Sequence, residues 1–222
     1  MSGVPVPEEA EAPTAPAGEL ELPATLPVLP LRETVVYPET MSPLAIGQER
    51  SIRLVDEAVA GSRTVALVAS RDEDVEAPGP ADLYEVGTAA VIHRMLRVPD
   101  GTLRILVQGT RRIRIQRVVS EEPYLVAEVA EVPDVVPNTL EVEALSKNAQ
   151  NLFSRIVSLA PYLPAELELA VANVDTPGEL TYLIASTMRL KVAEKQELLE
   201  EADVEARLRR LNGILSRELE AF

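Results

Sequence analysis

The sequence lacks several of the residues from which reactive and membrane-bound proteins are built. Its 222 residues include no cysteine, no tryptophan and only one histidine, His93, and aromatic residues make up 3% of the chain. Without cysteine, neither a disulfide scaffold nor a thiolate site can form. No apolar run approaches the roughly 18 residues that cross a bilayer, and no lysine or arginine precedes Arg32, which argues against a secretory signal or a transit peptide. These absences predict a cytoplasmic protein.

Basic residues are also scarce. The chain has 36 acidic residues against 21 basic ones, a net charge of −15. Nucleic acids and anionic membranes both require local positive potential, so neither is an expected partner. The basic cluster consists of Arg111, Arg112, Arg114 and Arg117. On a β-strand, alternate arginines are the ordinary solvent face, and no aromatic residues for stacking on bases accompany them, so we expect no nucleic-acid binding.

The first 24 residues contain five glutamates, several prolines and no cation. Such a segment has little apolar surface to offset the entropy of ordering it, which predicts a disordered acidic, Pro-rich tail over 1–24. The alternative is a polyproline ligand for a partner protein.

A β-hairpin is the clearest local prediction. Val86–Val98 and Thr102–Gln108 are aliphatic and β-branched runs separated by Pro99-Asp100-Gly101. Proline presets φ, and Asp and Gly accept the conformations that a tight turn requires. Both arms carry apolar residues at successive positions, so each is expected to be covered on two faces.

The surrounding segments predict a mixed sheet. Arg111–Val119 and Tyr124–Val132 alternate as half-buried strands do. Gln48–Ala60 has helical spacing and precedes Thr64–Ala69, a short apolar run typical of a buried strand. A helix between two strands permits a crossover connection, and therefore a parallel pair.

Beyond Pro137 the apolar spacing changes from two to nearly four, which predicts helices. Thr176-Pro177-Gly178-Glu179 has the spacing of a capping box with proline in the first turn. The last helix has no stop signal before Phe222. Five helices are expected, at Leu145–Val157 and starting near Pro164, Thr176, Glu194 and Asp203.

Three stretches carry a resemblance to a known family. They are LPVLPLRETVVYPETMSPLAIGQERSI, DLYEVGTAAVI with PDGTLRILVQGTRRIRI, and AEKQELLEEADVEARLRRLNGILSRELE, which together span about residues 26–222. In this order they resemble the amino-terminal region of the ATP-dependent Lon proteases.

The resemblance implies an α+β fold. It consists of a mixed-sheet, PUA-like pseudo-barrel over 25–133 and a helical bundle over 134–202. Residues 203–222 would begin a long helix leading towards an ATPase region that lies outside this chain. The parent would be a hexameric, ATP-dependent serine endopeptidase, whose ATP and Mg²⁺ bind in that ATPase region.

No catalytic, cofactor or metal site is predicted in the chain itself. It has no P-loop and no G-x-S-x-G motif. Ser146-Lys147 are adjacent on a helix and face apart, so they are interpreted as a chance pair. His93 has no triad or metal partner at a suitable spacing. The acidic loop 71–82 lacks the ligand spacing and the glycine of an EF-hand and is expected to be solvated.

What remains is apolar surface. Met95 and Leu96 lie near the hairpin tip, and Met41, Pro43 and Leu44 fall in a segment predicted to be a loop. These five residues are the candidate substrate contacts, because adaptable Met and Leu side chains suit shallow, promiscuous binding. The alternative is that they cap the core or pack against the helical part.

We therefore expect a non-catalytic region of a Lon-type protease that recognises substrates and supports the hexamer. Its partners would be unfolded or damaged proteins captured through exposed apolar patches. The alternative is a free-standing protein-interaction or oligomerisation module with the same β-domain.

Overall fold

The structure, a computed structural model, describes residues 21–222, so the tail predicted over 1–24 lies almost entirely outside the described residues. The described part contains a β-rich half followed by a helical half. The strands are β1 (Thr25–Leu31), β2 (Met41–Ile46), β3 (Thr64–Ala69), β4 (Val86–Arg97), β5 (Leu103–Ser120) and β6 (Val126–Glu131). The helices are α1 (Glu49–Ala60), α2 (Leu140–Leu159), α3 (Glu166–Ala172), α4 (Pro177–Thr187), α5 (Val192–Glu200) and α6 (Val204–Glu220).

The long strand β5 organises the sheet. It pairs antiparallel with β4 along much of its length. On its other edge, β2 pairs with Leu103–Gln108 and β6 pairs with Ile113–Ser120. Because β6 also pairs with β1, β1 with β3, and β3 with β4, these four strands and β5 close into a ring, and β2 pairs with β5 outside it. The predicted α+β class with an amino-terminal mixed-sheet pseudo-barrel is confirmed.

Two local predictions are confirmed by the strand pairing. β1 and β3 are parallel, from Val28 beside Ala66 to Leu31 beside Ala69, and α1 lies in the crossover that such a pair requires. The hairpin turn closes where Val98 N donates to the Thr102 carbonyl at 3.0 Å. Gly101 has a φ of 91°, which glycine adopts without a Cβ penalty.

The prediction of a loop over residues 39–46 is wrong, because Met41–Ile46 forms the strand β2. Tertiary pairing with β5 decides its conformation, and a proline on an edge strand is compatible with pairing on the other side. The preceding backbone crosses β5 at Gly109, whose N–H donates to the Thr40 carbonyl at 2.8 Å. A Cβ at Gly109 would lie 2.1 Å from the Tyr37 carbonyl oxygen, so this crossing requires glycine.

An open seam separates β1 from β2. Within residues 21–222 no strand pairs with the outer edge of β2. The seam is a groove of about 480 Å³ lined by Leu29–Leu31 on one side and Pro43–Ile46 on the other. Pro30 and Pro43 lie on its two sides, and neither can donate a backbone hydrogen bond.

Alternation along the strands builds two cores in the β-half. On β3, Val65 and Leu67 pack with α1, whereas Ala66 and Val68 face the barrel interior. The sheet is therefore buried on both faces at β3 and at Val86–Ala90 of β4. The prediction that both hairpin arms are covered on two faces is wrong nearer the turn, where alternate residues of Leu103–Gln108 are exposed or half-exposed.

The helical half has one core, which it shares with the barrel. α6 packs along α2, and both contribute to a cluster that also contains Tyr37 and Val86 from the β-half. Residues 134–202 and 203–222, predicted as separate parts, share this core.

The predicted helix starts agree with the observed caps. Thr176 Oγ accepts from the Glu179 N–H at 3.2 Å, and Asp203 Oδ1 accepts from the Ala206 N–H at 3.2 Å. No helix in the described part of the chain is long and apolar enough to span a membrane.

Candidate substrate-binding surface

Three of the five predicted contact residues lie on one exposed face of the sheet. The register of β2 on β5 and of β5 on β4 places Met41, Pro43 and Leu96 on the same side. We call this side the outer face; it is the side opposite α1. Its three cross-strand rows are Met41–Gln108–Val91, Pro43–Leu106–Arg94 and Ala45–Arg104–Leu96. Met41 is 53% exposed and Leu96 is 66% exposed.

The other two predicted residues point to the opposite side of the sheet. Leu44 is buried, so the expectation that it is exposed is wrong. Met95 is half-buried and packs against the core between the sheet and α1, beside its cross-strand partner Ile105. The cause is strand alternation, which sends neighbours such as Met95 and Leu96 to opposite faces.

Three residues of the outer face were missed from the sequence. Ala45 is exposed, and Val91 and Leu106 are half-exposed. Their place on the outer face depends on the register of β2, β4 and β5. β4 and β5 are consecutive in the chain, but β2 is separated from both. Ile105, Leu106 and Val107 are successive apolar residues, so the local pattern contains no signal that Leu106 differs in exposure from its two neighbours.

The polar residues on the outer face carry only positive charge. Arg94 and Arg104 project from it, and neither has a salt bridge within residues 21–222. His93 lies at a bulge next to Arg94, and its Nε2 is 2.7 Å from Gln108 Oε1. The surface is therefore an apolar patch with two cations set into it.

The predicted basic cluster is divided by a second bulge. Arg114 and Arg117 are exposed and paired with Glu85 and Glu128 at 3.2 and 2.8 Å. Arg112 is only 3% exposed, so the interpretation of these arginines as one solvent face is wrong at this position. The register slips at Thr110, where Ala89 pairs with Arg111 and Ala90 with Gly109. One extra residue reverses which positions face inward, and Arg112 therefore points into the helical half.

Arg112 belongs to a buried polar network between the barrel and the helices. Its Nη2 donates to Asp134 Oδ1 at 2.6 Å, and its Nη1 donates to the Tyr182 hydroxyl at 2.7 Å. Arg207 of α6 is fully buried and donates to both oxygens of Asp134, at 3.0 and 2.8 Å. The Arg207 guanidinium also lies 4.3 Å from the centre of the Tyr182 ring.

This network fixes the charge state of Asp134. Burial opposes ionisation, but hydrogen bonds and charge from Arg207 and Arg112 outweigh it and hold the pKa of Asp134 below its ordinary value. Burial raises the pKa of Tyr182 to about 12, so its hydroxyl stays protonated and can donate to Asp134. Two buried cations thus share one carboxylate, and β5, α4 and α6 meet at Asp134.

The remaining candidate groups occupy ordinary positions. Ser146 Oγ donates to the Val142 carbonyl of its own helix, and Lys147 Nζ lies 3.8 Å from Glu143. Arg32 donates to the Glu73 carbonyl at 2.7 Å across the acidic loop. In the part of the chain that the structure describes, no group of His, Cys, Asp and Glu is arranged to hold a metal ion.

Comparisons with known proteins agree on one family. Residues 25–217 match the family described as the ATP-dependent protease La (LON) substrate-binding domain. The chain is 44% identical over 200 residues to the Lon protease of Dictyoglomus thermophilum and 42% identical over 210 residues to Lon protease 1 of Herpetosiphon aurantiacus. These matches cover 90% of the chain but only 25% and 26% of the relatives, so the chain spans about a quarter of their length.

A solved structure agrees with this assignment. The N-terminal domain of Mycobacterium avium complex Lon protease is 27% identical and superimposes with a TM-score of 0.70, over 86% of this chain and 98% of that one.

Proposed function

Because the chain belongs to the family of Lon substrate-binding domains, we propose that it is the non-catalytic substrate-recognition region of an ATP-dependent Lon-type protease. It captures unfolded or damaged proteins in the cytoplasm through exposed apolar side chains. ATP and Mg²⁺ act in the ATPase region of the parent, outside this chain.

The observation that carries the proposal is the outer face. Exposed apolar residues from three strands form one continuous patch there, with Met41, Leu96 and Leu106 in adjacent rows. Unfolded proteins offer irregular apolar segments, which such a patch binds without a fixed sequence. Backbone pairing of β2 with β5 and of β5 with β4 holds these side chains on one surface.

A matched pair of substitutions tests this proposal. Leu96 and Leu169 are 66% and 67% exposed, on the outer face and on α3 respectively. We expect Leu96→Asp combined with Met41→Asp to weaken binding of a permanently unfolded protein about tenfold, since the apolar area buried on binding is lost. The control, Leu169→Asp combined with Leu159→Asp, changes two residues that are 67% and 52% exposed in the helical half. It should leave the dissociation constant unchanged, and both variants should keep the melting temperature. Equal weakening by the two variants, or by neither, contradicts the proposal.

We also propose that this chain is not an enzyme by itself. Supporting this, Ser146 and Lys147 bond to separate groups on their own helix, and the sequence contains no P-loop. Purified chain should neither cleave an unfolded protein nor hydrolyse ATP. Turnover by the purified chain would contradict this proposal. If substitution of Ser146 abolished the turnover, Ser146 would be part of the active site; if the turnover persisted, the active site would lie elsewhere in the chain.

A role in supporting a hexamer of the parent is part of the same proposal. Leu140 and Leu169 of the helical half are 84% and 67% exposed, away from the outer face, and suit contacts between copies. Light scattering should therefore show that Leu140→Asp and Leu169→Asp reduce assembly of the full-length parent without affecting capture. A free-standing interaction module would instead assemble as this chain alone.

A further inference from the structure

Three strands carry only positive charge, whereas the chain as a whole is acidic. β2, β4 and β5 contain seven arginines and no aspartate, glutamate or lysine, although the whole chain has a net charge of −15. Five of the arginines are paired with carboxylates from other segments. The pairs are Arg97 with Asp56, Arg111 with Glu131, Arg112 with Asp134, Arg114 with Glu85 and Arg117 with Glu128.

The other two arginines are those of the outer face. Arg94 lies across from Leu106, and Arg104 lies across from Leu96, in adjacent rows of the patch. Neither has a salt bridge among the described residues. Asp100 in the hairpin turn accepts a hydrogen bond from Thr102 and interacts with Arg104 only through space. Each guanidinium therefore borders the apolar surface that a ligand would cover.

We propose that the outer face selects apolar segments that are flanked by acidic side chains, with Arg94 and Arg104 pairing with those carboxylates. The inference rests on the proposed function and names its substrate class. When an apolar segment covers Leu96 and Leu106, both guanidinium groups lose water. A carboxylate on the segment restores their hydrogen bonds in the two-pronged geometry that arginine favours. Neutral residues beside the apolar segment leave the two guanidinium groups with weaker hydrogen bonds. Basic residues there are repelled by the two guanidinium groups.

The selection acts only at contact. The net charge of −15 repels acidic ligands at long range, but at physiological salt charges are screened beyond about 8 Å. The charged residues in the two rows that contain Leu96 and Leu106 are Arg94 and Arg104, so a ligand in contact with these rows meets positive charge. The charge of the whole protein and the charge of this face therefore favour opposite ligands, so an experiment can separate them.

The test uses three labelled peptides that share one apolar core and carry Glu, Gln or Lys at both ends. Binding to the wild-type chain is measured by fluorescence anisotropy at physiological salt. Since an exposed pair contributes little by itself, we expect the Glu-flanked peptide to bind roughly fivefold more tightly than the Gln-flanked one. The Lys-flanked peptide should bind most weakly.

Charge reversal then assigns the effect. Arg94→Glu with Arg104→Glu should reverse the order of the three peptides. Arg114→Glu with Arg117→Glu makes the same change in net charge on the same sheet, away from the patch, and should keep the wild-type order. If the reversed pair does not fold, Arg94→Gln with Arg104→Gln should remove the preference and leave the Gln-flanked peptide unaffected.

The outcomes separate this inference from the proposed function. Equal binding of all three peptides to the wild-type chain overturns the charge selection and leaves apolar capture standing. The same reversal in the Arg114 and Arg117 control overturns the assignment to the outer face. Failure of every peptide to bind contradicts the proposed function itself.

Discussion

Arg104 and Arg112 lie eight residues apart on β5, yet they occupy opposite environments. On a regular strand an even separation places two side chains on the same face. Arg104 is exposed on the outer face, whereas Arg112 is buried against α4 and bonded to Asp134. The bulge at Thr110 reverses the alternation between them. One inserted residue thus divides a single strand into a part exposed on the outer face and a part that joins two halves of the molecule.

The two environments also differ in what an arginine contributes. Arg112 and Arg207 are withdrawn from water and depend on one carboxylate, so loss of that carboxylate leaves two charges uncompensated. Arg104 remains hydrated, so its removal should change stability little. The predictions below test this division, from the largest expected effect to the smallest.

Asp134→Asn should have the largest effect on stability. It removes the one negative charge between two buried guanidinium groups, and we expect the free energy of unfolding to fall by about 3–5 kcal/mol. Urea denaturation measures the change. Glu85→Gln removes the partner of the exposed Arg114 and should leave the midpoint unchanged. Similar losses in both variants would show that the buried network has no special role.

Arg112→Ala and Arg104→Ala compare the same substitution on either side of the bulge. Arg112→Ala loses hydrogen bonds to Asp134 and Tyr182, although Arg207 still pairs with Asp134, so we expect a loss of about 2 kcal/mol. Arg104→Ala should change stability by less than about 0.5 kcal/mol while weakening binding of the Glu-flanked peptide. An unchanged stability of Arg112→Ala would contradict the burial of its side chain.

Met95→Glu and Leu96→Glu compare adjacent positions on opposite faces. Met95 packs against the core beside Ile105, so a carboxylate there should cost about 1–2 kcal/mol. Leu96→Glu should stay within about 0.5 kcal/mol of wild type but weaken capture of an unfolded protein. The reverse pattern would mean that the register of the hairpin is shifted by one residue.

Acid should reveal a smaller effect of the same network. The pKa of Asp134 is lower in the folded chain than in the unfolded one, so its stabilisation is complete above about pH 4 and is lost as the pH falls through the lowered pKa. Just below pH 4, only a fraction of the unfolded chains carry a proton on Asp134, so the loss of folding stability there is small. Wild type should lose more stability than Asp134→Asn between neutral and acidic pH. Parallel curves for the two proteins would contradict this role of Asp134.

Local chemistry predicted the elements whose signals lie within a few residues. The turn at Pro99–Gly101 and the caps at Thr176 and Asp203 depend on side chains and backbone groups adjacent in sequence. They were predictable because no distant contact is needed to form them.

Positions set by distant pairing were not predictable. Met41–Ile46 is a strand only because β5 pairs with it, and Leu44 is buried because that pairing fixes which side faces the core. Arg112 follows the bulge at Thr110. Gly109 beside it is a local signal, because an isolated glycine in a strand often marks a bulge, but it does not indicate which side chains the bulge turns inward. The outer face required the register of three strands, so the sequence indicated some of its members but not that they belong together.

The seam between β1 and β2 affects whether copies of this chain can associate through their strand edges. The outer edge of β2 and the edge of β1 beyond its pairing with β6 lie side by side without strand partners in the described part of the chain. Unpaired strand edges commonly allow copies of a protein to join edge to edge into fibres. Pro30 and Pro43 each withhold an amide from these edges, which interrupts any continuous backbone ladder. Copies of this chain are thereby hindered from joining through a continuous backbone ladder at the seam.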